Sequence, residues 1–420
     1  MTEYLVKRHF ESPLTTGIVL TVICFVGTLI YWPIWGLIVK SIAVSLAGTG
    51  LAAVDAKVVT KYIGVLAEGT FFWMIINAWI WQTLLFGNYG KYHVSALQPK
   101  AGIRYSLIGL VVGSVGFLML IGFIGMWWKP FSLGILFMPS TAAEVQLAIE
   151  GWEVGNFYCL AVIIVQIAYV ALFQKWPFAG KAVAPIDSVG AMMTSTVFAL
   201  IVWFAMFFPS LMSDLSLGGH VIVVKPFGSW PAFLAFCQAF IFFFLIPAEG
   251  GDRYPQKLFA KNQPYAGLVG LAIALAAGLI IPQMLSAIVG SMNLVPGAPV
   301  DLVVASLELS TVCFQLTWHH LFDDYPNVTI IPNDSTRVLT RIGIWLGGGT
   351  IVGLLWLKSF KLLPFGGNDM GLGYPVMGLL AGQFALLMVI LYCNTFFDKW
   401  PLVYKVSAPV SNKKASSISS

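Results

Sequence analysis

Ten long apolar stretches occupy most of this 420-residue chain and leave almost nothing for a soluble domain. Each stretch has about the 20 apolar residues that a helix needs to cross the hydrocarbon core of a bilayer. They are Leu14–Lys40, Tyr62–Gly87, Ile103–Trp128, Trp152–Lys175, Ser188–Ser213, Phe227–Ala248, Tyr265–Ser291, Val300–Phe322, Val338–Leu357 and Gly373–Phe397. The sequence therefore predicts an all-α polytopic integral membrane protein with about ten transmembrane helices.

The composition supports the same class of protein. Charged residues make up 10% of the chain, whereas a soluble domain has about 25%. A phosphate-binding loop, a nucleophile elbow and a dinucleotide fingerprint are all missing from the sequence. We therefore expect membrane lipids as partners, with no nucleic acid and no primary active transport by this chain alone.

The positive charges between the stretches predict an orientation. Both termini and the even-numbered loops carry sixteen Lys and Arg residues, and the opposite side carries seven. Cytoplasmic loops concentrate Lys and Arg. We therefore expect both termini in the cytoplasm and the protein in a plasma membrane of the bacterial inner-membrane type.

Short motifs recur in the two halves of the chain. Trp81 and Trp318 lie near the ends of stretches two and eight, and each is followed 23 residues later by an arginine, Arg104 or Arg341. Lys-Trp-Pro ends stretches four and ten, at 175–177 and 399–401. These matches predict a parallel 4+2+4 internal repeat, of a kind found in secondary transporters.

This repeat divides the chain into five parts. Residues 1–13 form a cytoplasmic N-terminus, 14–177 and 263–401 form the two four-helix repeats, and 178–262 form two linking transmembrane helices. Residues 402–420 end in a polar, low-complexity run, which predicts a disordered cytoplasmic tail.

Two glutamates fall inside apolar stretches at similar depths of the repeat, Glu68 in stretch two and Glu308 in stretch eight. A carboxylate in a bilayer is costly unless it is neutralised or paired, so each is a candidate for function. Asn77 and Gln315 lie two turns or more further along the same stretches. We predict that these four residues bind a substrate or an ion, although the glutamates could instead only fix helix packing.

Charged residues near the predicted cytoplasmic face form two further candidate sites. Arg104 and Arg341 could pair with a carboxylate on a substrate, or could only obey the orientation rule. The loop with Glu249, Asp252 and Arg253 combines acids, a base and glycines. It could act as a gate or be a plain turn.

The densest polar cluster ends stretch eight. His319 with Asp323, and His320 with Asp324, are spaced i,i+4 on one helix turn, a spacing at which imidazole and carboxylate can share a divalent metal ion. The alternative is a helix end that meets water. The other three histidines lie near stretch ends or in loops, so their positions argue against haem.

The sequence also contains a glycine run within an apolar stretch and two short apolar segments between stretches. Gly347–Gly349 predicts an interruption of stretch nine. The segments Ser41–Val54 and Phe131–Met138 are apolar but short, which predicts re-entrant or surface segments.

Three functions fit these observations. The first is an ion- or proton-coupled secondary transporter of a small solute, with the intramembrane glutamates as coupling sites. The second is an integral subunit of a redox or metalloenzyme complex with a His/Asp cation or quinone site. The third is a non-catalytic membrane scaffold subunit, and a homo-oligomer or complex partner is compatible with all three.

Overall fold

The computed structural model describes residues 4–52, 54–67, 70–87, 98–180, 185–207, 216–217, 220–221, 227, 229–363 and 377–407. Within these ranges the chain is almost entirely helical. The α-helices are α1 (Pro13–Ala52), α2 (Ala56–Ala67), α3 (Thr70–Ile80), α4 (Lys100–Trp127), α5 (Leu133–Phe137), α6 (Ala142–Phe173), α7 (Ile186–Val202), α8 (Trp230–Leu245), α9 (Tyr265–Met292), α10 (Val300–Phe322), α11 (Asp334–Ser359) and α12 (Gly382–Thr395).

Short elements extend or join these helices. Five-residue π-helical turns follow α3 and α7, at Trp81–Leu85 and Trp203–Phe207, and one precedes α12, at Met377–Ala381. Single 3₁₀ turns lie at Lys129–Phe131, Gln256–Leu258 and Phe360–Leu362. The strands are β1 (Tyr4–Arg8), β2 (Ser216–Leu217), β3 (His220–Val221) and β4 (Val403–Ser407).

Eight helices of the described chain are long and apolar enough to cross a membrane. The protein is thus an all-α, multi-pass integral membrane protein, as the sequence predicts. The two remaining predicted stretches, the second and the sixth, correspond to α2–α3 and to the shorter apolar helix α8. The total of ten spans stays a prediction.

Two predictions about irregular segments were wrong. Ser41–Val54 is not a separate segment, because α1 continues to Ala52. Gly347–Gly349 does not interrupt α11, which runs unbroken from Asp334 to Ser359. Apolar residues and glycines are tolerated in membrane helices where neighbouring helices pack closely. Phe131–Met138 is a short connection that contains α5.

Five helices form a closed inner ring. Along the chain, α3 contacts α6, α6 contacts α8, α8 contacts α10, and α10 contacts α12. The Nε1 of Trp79 on α3 donates to the Oγ1 of Thr395 on α12 at 2.8 Å, which joins the last helix to the first. α10 has the largest share of buried residues among the long helices, whereas α4, α7 and α9 have the smallest.

The outer helices lie in the grooves of this ring. α1 contacts α10 and α12, α4 contacts α3, α7 contacts α6, α9 contacts α6 and α8, and α11 contacts α10. Glycines permit close approach where these helices begin. A Cβ atom on Gly17, Gly102 or Gly267 would lie within about 2.5 Å of the ring of Phe322, Phe397 or Phe173, respectively.

The ends of the inner helices share a turn. Four times, two consecutive non-glycine residues adopt positive φ and are followed by an aromatic residue and a proline. The four pairs are Gln174–Lys175, Asp252–Arg253, Asp323–Asp324 and Asp398–Lys399. Next to these turns β1 pairs with β4 in an antiparallel ribbon, so the two terminal strands lie on the same side of the molecule.

Candidate functional site

Glu308 lies about a third of the way along α10, the most buried of the long helices. The residue is only 6% exposed, and neither carboxylate oxygen has a hydrogen-bond partner among the described residues. Gln315, two turns further along, is completely buried, and both atoms of its amide likewise have no partner in the described part of the chain. Buried polar groups normally have such partners, which marks this stretch of α10 as a candidate binding site.

The polar residues of α10 form a stripe along one face. Glu308, Gln315 and His319 are separated by seven and four residues, spacings that bring side chains to the same side of a helix. The Glu308 carboxylate lies within electrostatic range of the Cys237 thiol on α8. His319 meets Glu249 from the turn that follows α8. The stripe therefore faces the interface between α8 and α10, which we call the α8–α10 seam.

One end of this seam is closed by charged groups. The Nε2 atom of His319 lies 2.8 Å from a carboxylate oxygen of Glu249, and its Nδ1 atom lies 2.9 Å from both carboxylate oxygens of Asp324. A carboxylate only accepts hydrogen bonds. By facing carboxylates through both ring nitrogens, His319 ties the turn after α8 to the turn after α10.

The predicted i,i+4 pairing of histidine and aspartate was wrong. α10 ends at Phe322, and both Asp323 and Asp324 have positive φ, so the helical register no longer applies beyond this point. Asp324 therefore turns back to His319. Asp323 instead pairs with Lys399, and with Arg8 at 2.7 Å.

The predicted metal ligands are not brought into one group among the described residues, and a metal ion here stays a prediction. The Nδ1 of His320, the second predicted histidine, accepts a hydrogen bond of 2.7 Å from the Nδ2 of Asn394 on α12. Both nitrogens of His319 already face carboxylates, and no group of three or more His, Cys, Asp or Glu among the described residues is suited to hold a metal ion. His93, another histidine of the chain, lies outside the described residues.

The other predicted site residues are dispersed. Asn77 is buried on α3, where its Nδ2 donates to Trp73 O at 3.1 Å and contacts Cys159 O of α6 at 3.5 Å. Glu68 lies outside the described residues, so its proposed pairing with Glu308 stays a prediction. Arg104 lies on the exposed face of α4.

Arg341 binds backbone rather than a carboxylate. Its guanidinium donates to Pro326 O at 2.9 and 3.1 Å and to Gly250 O at 2.6 Å. Arg341 is buried, and it joins the same two turns that His319 bridges. This position supports a role in holding those turns together.

The three residues of the predicted gate loop have different environments. Glu249 points inward to His319, and Asp252 pairs with the buried Arg337 of α11 at 2.8 Å. Arg253 is exposed. The loop is therefore fixed by ion pairs at two of the three predicted positions.

Sequence reasoning missed several residues of this cluster. Arg8, Arg337, Lys399 and Asn394 all contact the acidic or histidine residues of the turns. Lys399 is part of the recurring Lys-Trp-Pro motif, and this recurrence could have identified it as a candidate residue of the cluster. The other three follow only from the three-dimensional packing.

Two carboxyl groups of the cluster have lowered pKa values. Burial alone would raise the pKa of Glu249, but the charge of His319 outweighs burial and lowers it to about 2. Burial also opposes ionisation of Asp323, yet Lys399 and Arg8 hold the pKa of Asp323 below its usual range. Both acids are therefore charged near neutral pH and stabilise the closed end of the seam.

Acidification should weaken this end of the molecule. The folded pKa of Glu249 is about 2, and an unfolded glutamate titrates near about 4.3. Its stabilising contribution, on the order of 3 kcal/mol, is complete above the unfolded pKa and is lost as the pH falls towards the folded pKa. We expect the thermal unfolding midpoint of detergent-purified protein to fall between about pH 5 and about pH 2.

The Glu249→Gln variant is the matched control for this measurement. It cannot lose the Glu249 contribution, so its midpoint should fall less steeply over the same pH range. Parallel curves for the two proteins would show that the ion pair with His319 does not stabilise the fold.

The chain was compared with known families, curated proteins and solved structures. It matches no family model, no curated protein and no solved structure. The geometry of α10 and its neighbours is therefore the basis on which a function can be inferred.

Proposed function

We propose that this protein is a secondary transporter that couples movement of a small solute to a proton or another cation bound at Glu308. The observation that carries the proposal is the buried Glu308 carboxylate, which lies on the most central helix and has no hydrogen-bond partner in the described chain. Such a group is costly unless a proton or cation neutralises it. Repeated binding and release at this position is the basic step of coupled transport.

The position of Glu308 within the fold supports this role. About eight residues, or about 12 Å of helix, separate it from the start of α10, and about 21 Å separate it from the end. It therefore lies well inside the membrane-spanning part of α10. α10 contacts α8, α9, α11, α12 and α1, so a change at Glu308 can act on several helices at once.

The architecture suggests a finer form of the repeat. We extend the parallel 4+2+4 repeat to five units of two helices, each with one outer and one inner member: α1 with α2–α3, α4 with α6, α7 with α8, α9 with α10, and α11 with α12. The recurring turns at the ends of four inner helices support this division. The two predicted four-helix repeats are then units one and two, and units four and five.

The ion pairs at the end of the seam fit a gate. His319 bridges Glu249 and Asp324, and Arg341 binds backbone carbonyls of the same two turns. Separation of α8 from α10 at this end would require these contacts to break. We assign Glu249 and His319 to the gate, with Arg341 as a residue that positions both turns.

Transport by purified protein in liposomes tests the proposal. Vesicles would receive an inward cation gradient and a mixture of amino acids, sugars, organic acids and nucleosides. Their contents would be measured by mass spectrometry after filtration. We expect at least one solute to accumulate above its external concentration in wild type, because the gradient drives uptake.

The Glu308→Gln variant should lose gradient-driven accumulation while still eluting as a folded protein. Glu11→Gln changes an exposed residue that precedes α1, and we expect it to behave as wild type. Accumulation by Glu308→Gln equal to wild type would exclude Glu308 as the coupling site. Absence of gradient-driven accumulation of every class would exclude coupled transport of these solutes and favour a scaffold.

A further inference from the structure

We propose that the coupling ion is the proton, and that it reaches Glu308 along the α8–α10 seam from the end that holds Glu249, His319 and Asp324. This inference rests on the proposed function, because it names the ion that binds at Glu308. It also assigns Gln315 a role in the path.

The groups near Glu308 suit a proton better than a metal cation. Calcium takes about six to eight oxygen ligands, and zinc takes about four nitrogen, sulfur or oxygen ligands. In the described chain, Glu308 has only the Cys237 thiol as a nearby titratable group, and it belongs to no cluster of three or more His, Cys, Asp or Glu suited to a metal. A proton needs a single carboxylate oxygen and no such set of ligands.

The stripe on α10 connects Glu308 with the end of the seam. His319 is eleven residues from Glu308, which is about 16 Å along the helix, and Gln315 lies between them on the same face. Both atoms of the Gln315 amide have no hydrogen-bond partner among the residues described. An amide both donates and accepts hydrogen bonds. Gln315 can therefore bind a proton-carrying water on its Glu308 side and another on its His319 side.

The end of the seam holds titratable groups that can exchange protons with water. His319 is faced by Glu249 from the turn after α8 and by Asp324 from the turn after α10. The neighbouring groups are His320 on α10, Arg341 on α11, and Lys399 with Asp323 beyond them. Lys399 is paired with Asp323, whereas Glu249 and Asp324 face His319 directly.

The proposed step is the reversible protonation of Glu308. The Glu308 carboxylate takes one proton and becomes a neutral carboxyl group, which removes the cost of a buried charge. It returns to the charged form when the proton leaves. No other atom or electron is transferred.

Infrared spectroscopy of the full-length protein in lipid vesicles tests the identity of the ion. The C=O band of a protonated carboxyl group that disappears in Glu308→Gln belongs to Glu308. We expect this band in wild type, and we expect its amplitude to depend on pH and not on replacement of potassium by sodium. Loss of the band on addition of sodium at constant pH would overturn the proton assignment.

A pH jump tests the path. After rapid acidification, the Glu308 band should appear about tenfold more slowly in Gln315→Leu than in wild type, because one hydrogen-bonding group of the path is lost. Its final amplitude should be unchanged, because the variant alters access and not the site. Thr317→Val is the control, since Thr317 lies on the opposite face of α10 at similar depth.

Equal rates in Gln315→Leu, Thr317→Val and wild type would overturn the path along the seam. The outcome for the proposed function is separate. A pH-dependent Glu308 band without any accumulation of solute would leave the proton site intact and exclude transport. Sodium-sensitive binding together with Glu308-dependent accumulation would leave transport intact and exclude the proton.

Discussion

Replacement of Gly349 by leucine is expected to abolish the folded protein. A Cβ atom at Gly349 would lie 2.6 Å from the Cα atom of Thr311 on α10. Backbone cannot move aside as a side chain can, so a leucine would force α11 away from α10. Gly353, one turn further along α11, also approaches α10 closely, at Leu307 and Ser310. This is the small-residue contact that membrane helices use to pack.

We expect the loss of stability for Gly349→Leu to exceed about 3 kcal/mol, the upper part of the usual range for overpacked cores. The measurement is the yield of monodisperse protein in gel filtration and its thermal unfolding midpoint in detergent.

Gly347→Leu provides a matched control two residues away. Apart from the neighbouring backbone of its own helix, no atom of the described residues lies within 4 Å of a Cβ built on Gly347, so this leucine should be tolerated with nearly unchanged yield. Similar yields for the two variants would show that α11 does not contact α10 as closely as described.

The run Gly347–Gly349 shows where sequence reasoning met its limit. Glycine weakens an isolated helix, and this property predicts a break. In the structure the same residues serve packing, because Gly348 and Gly349 lie against Phe314 and Thr311 of α10. The contact joins residues far apart in sequence. No local pattern distinguishes it from a break.

The long helices were predicted well because hydrophobic length is a local property. Val300–Phe322 matches α10 in both bounds, and the burial of Glu308 and Gln315 within it was anticipated. Stretches two and six fit less well. α8 is cut short after Leu245 by a turn, and the apolar residues Ile246 and Pro247 made the stretch look longer in the sequence.

The end of the seam could be predicted only in part. The residues His319, Asp324 and Glu249 were all candidates, but their mutual contacts were not. Because Asp323 and Asp324 have positive φ, the helical spacing does not hold there. Asp324 therefore contacts His319, and Asp323 contacts Lys399 instead of a histidine. Glu249 reaches His319 across about 70 residues of sequence, a contact that depends on how α8 and α10 pack.

Replacement of Arg341 by methionine is expected to destabilise the protein by about 3 kcal/mol or more. The guanidinium donates to Pro326 O and Gly250 O, and methionine would leave both buried carbonyls without their donor. Each unsatisfied buried acceptor costs about 1–3 kcal/mol. Methionine keeps the unbranched side chain, so the change tests the hydrogen bonds more than the volume.

The equivalent change at Arg104 discriminates between the two roles that the sequence allowed for these arginines. Arg104 lies on the exposed face of α4, and we expect Arg104→Met to shift the unfolding midpoint little. If Arg341 bound a substrate carboxylate instead of the turns, Arg341→Met would reduce solute uptake while leaving the midpoint unchanged. The geometry requires a large fall in the midpoint of Arg341→Met and not of Arg104→Met, because Arg341 hydrogen-bonds both the turn after α8 and the turn after α10.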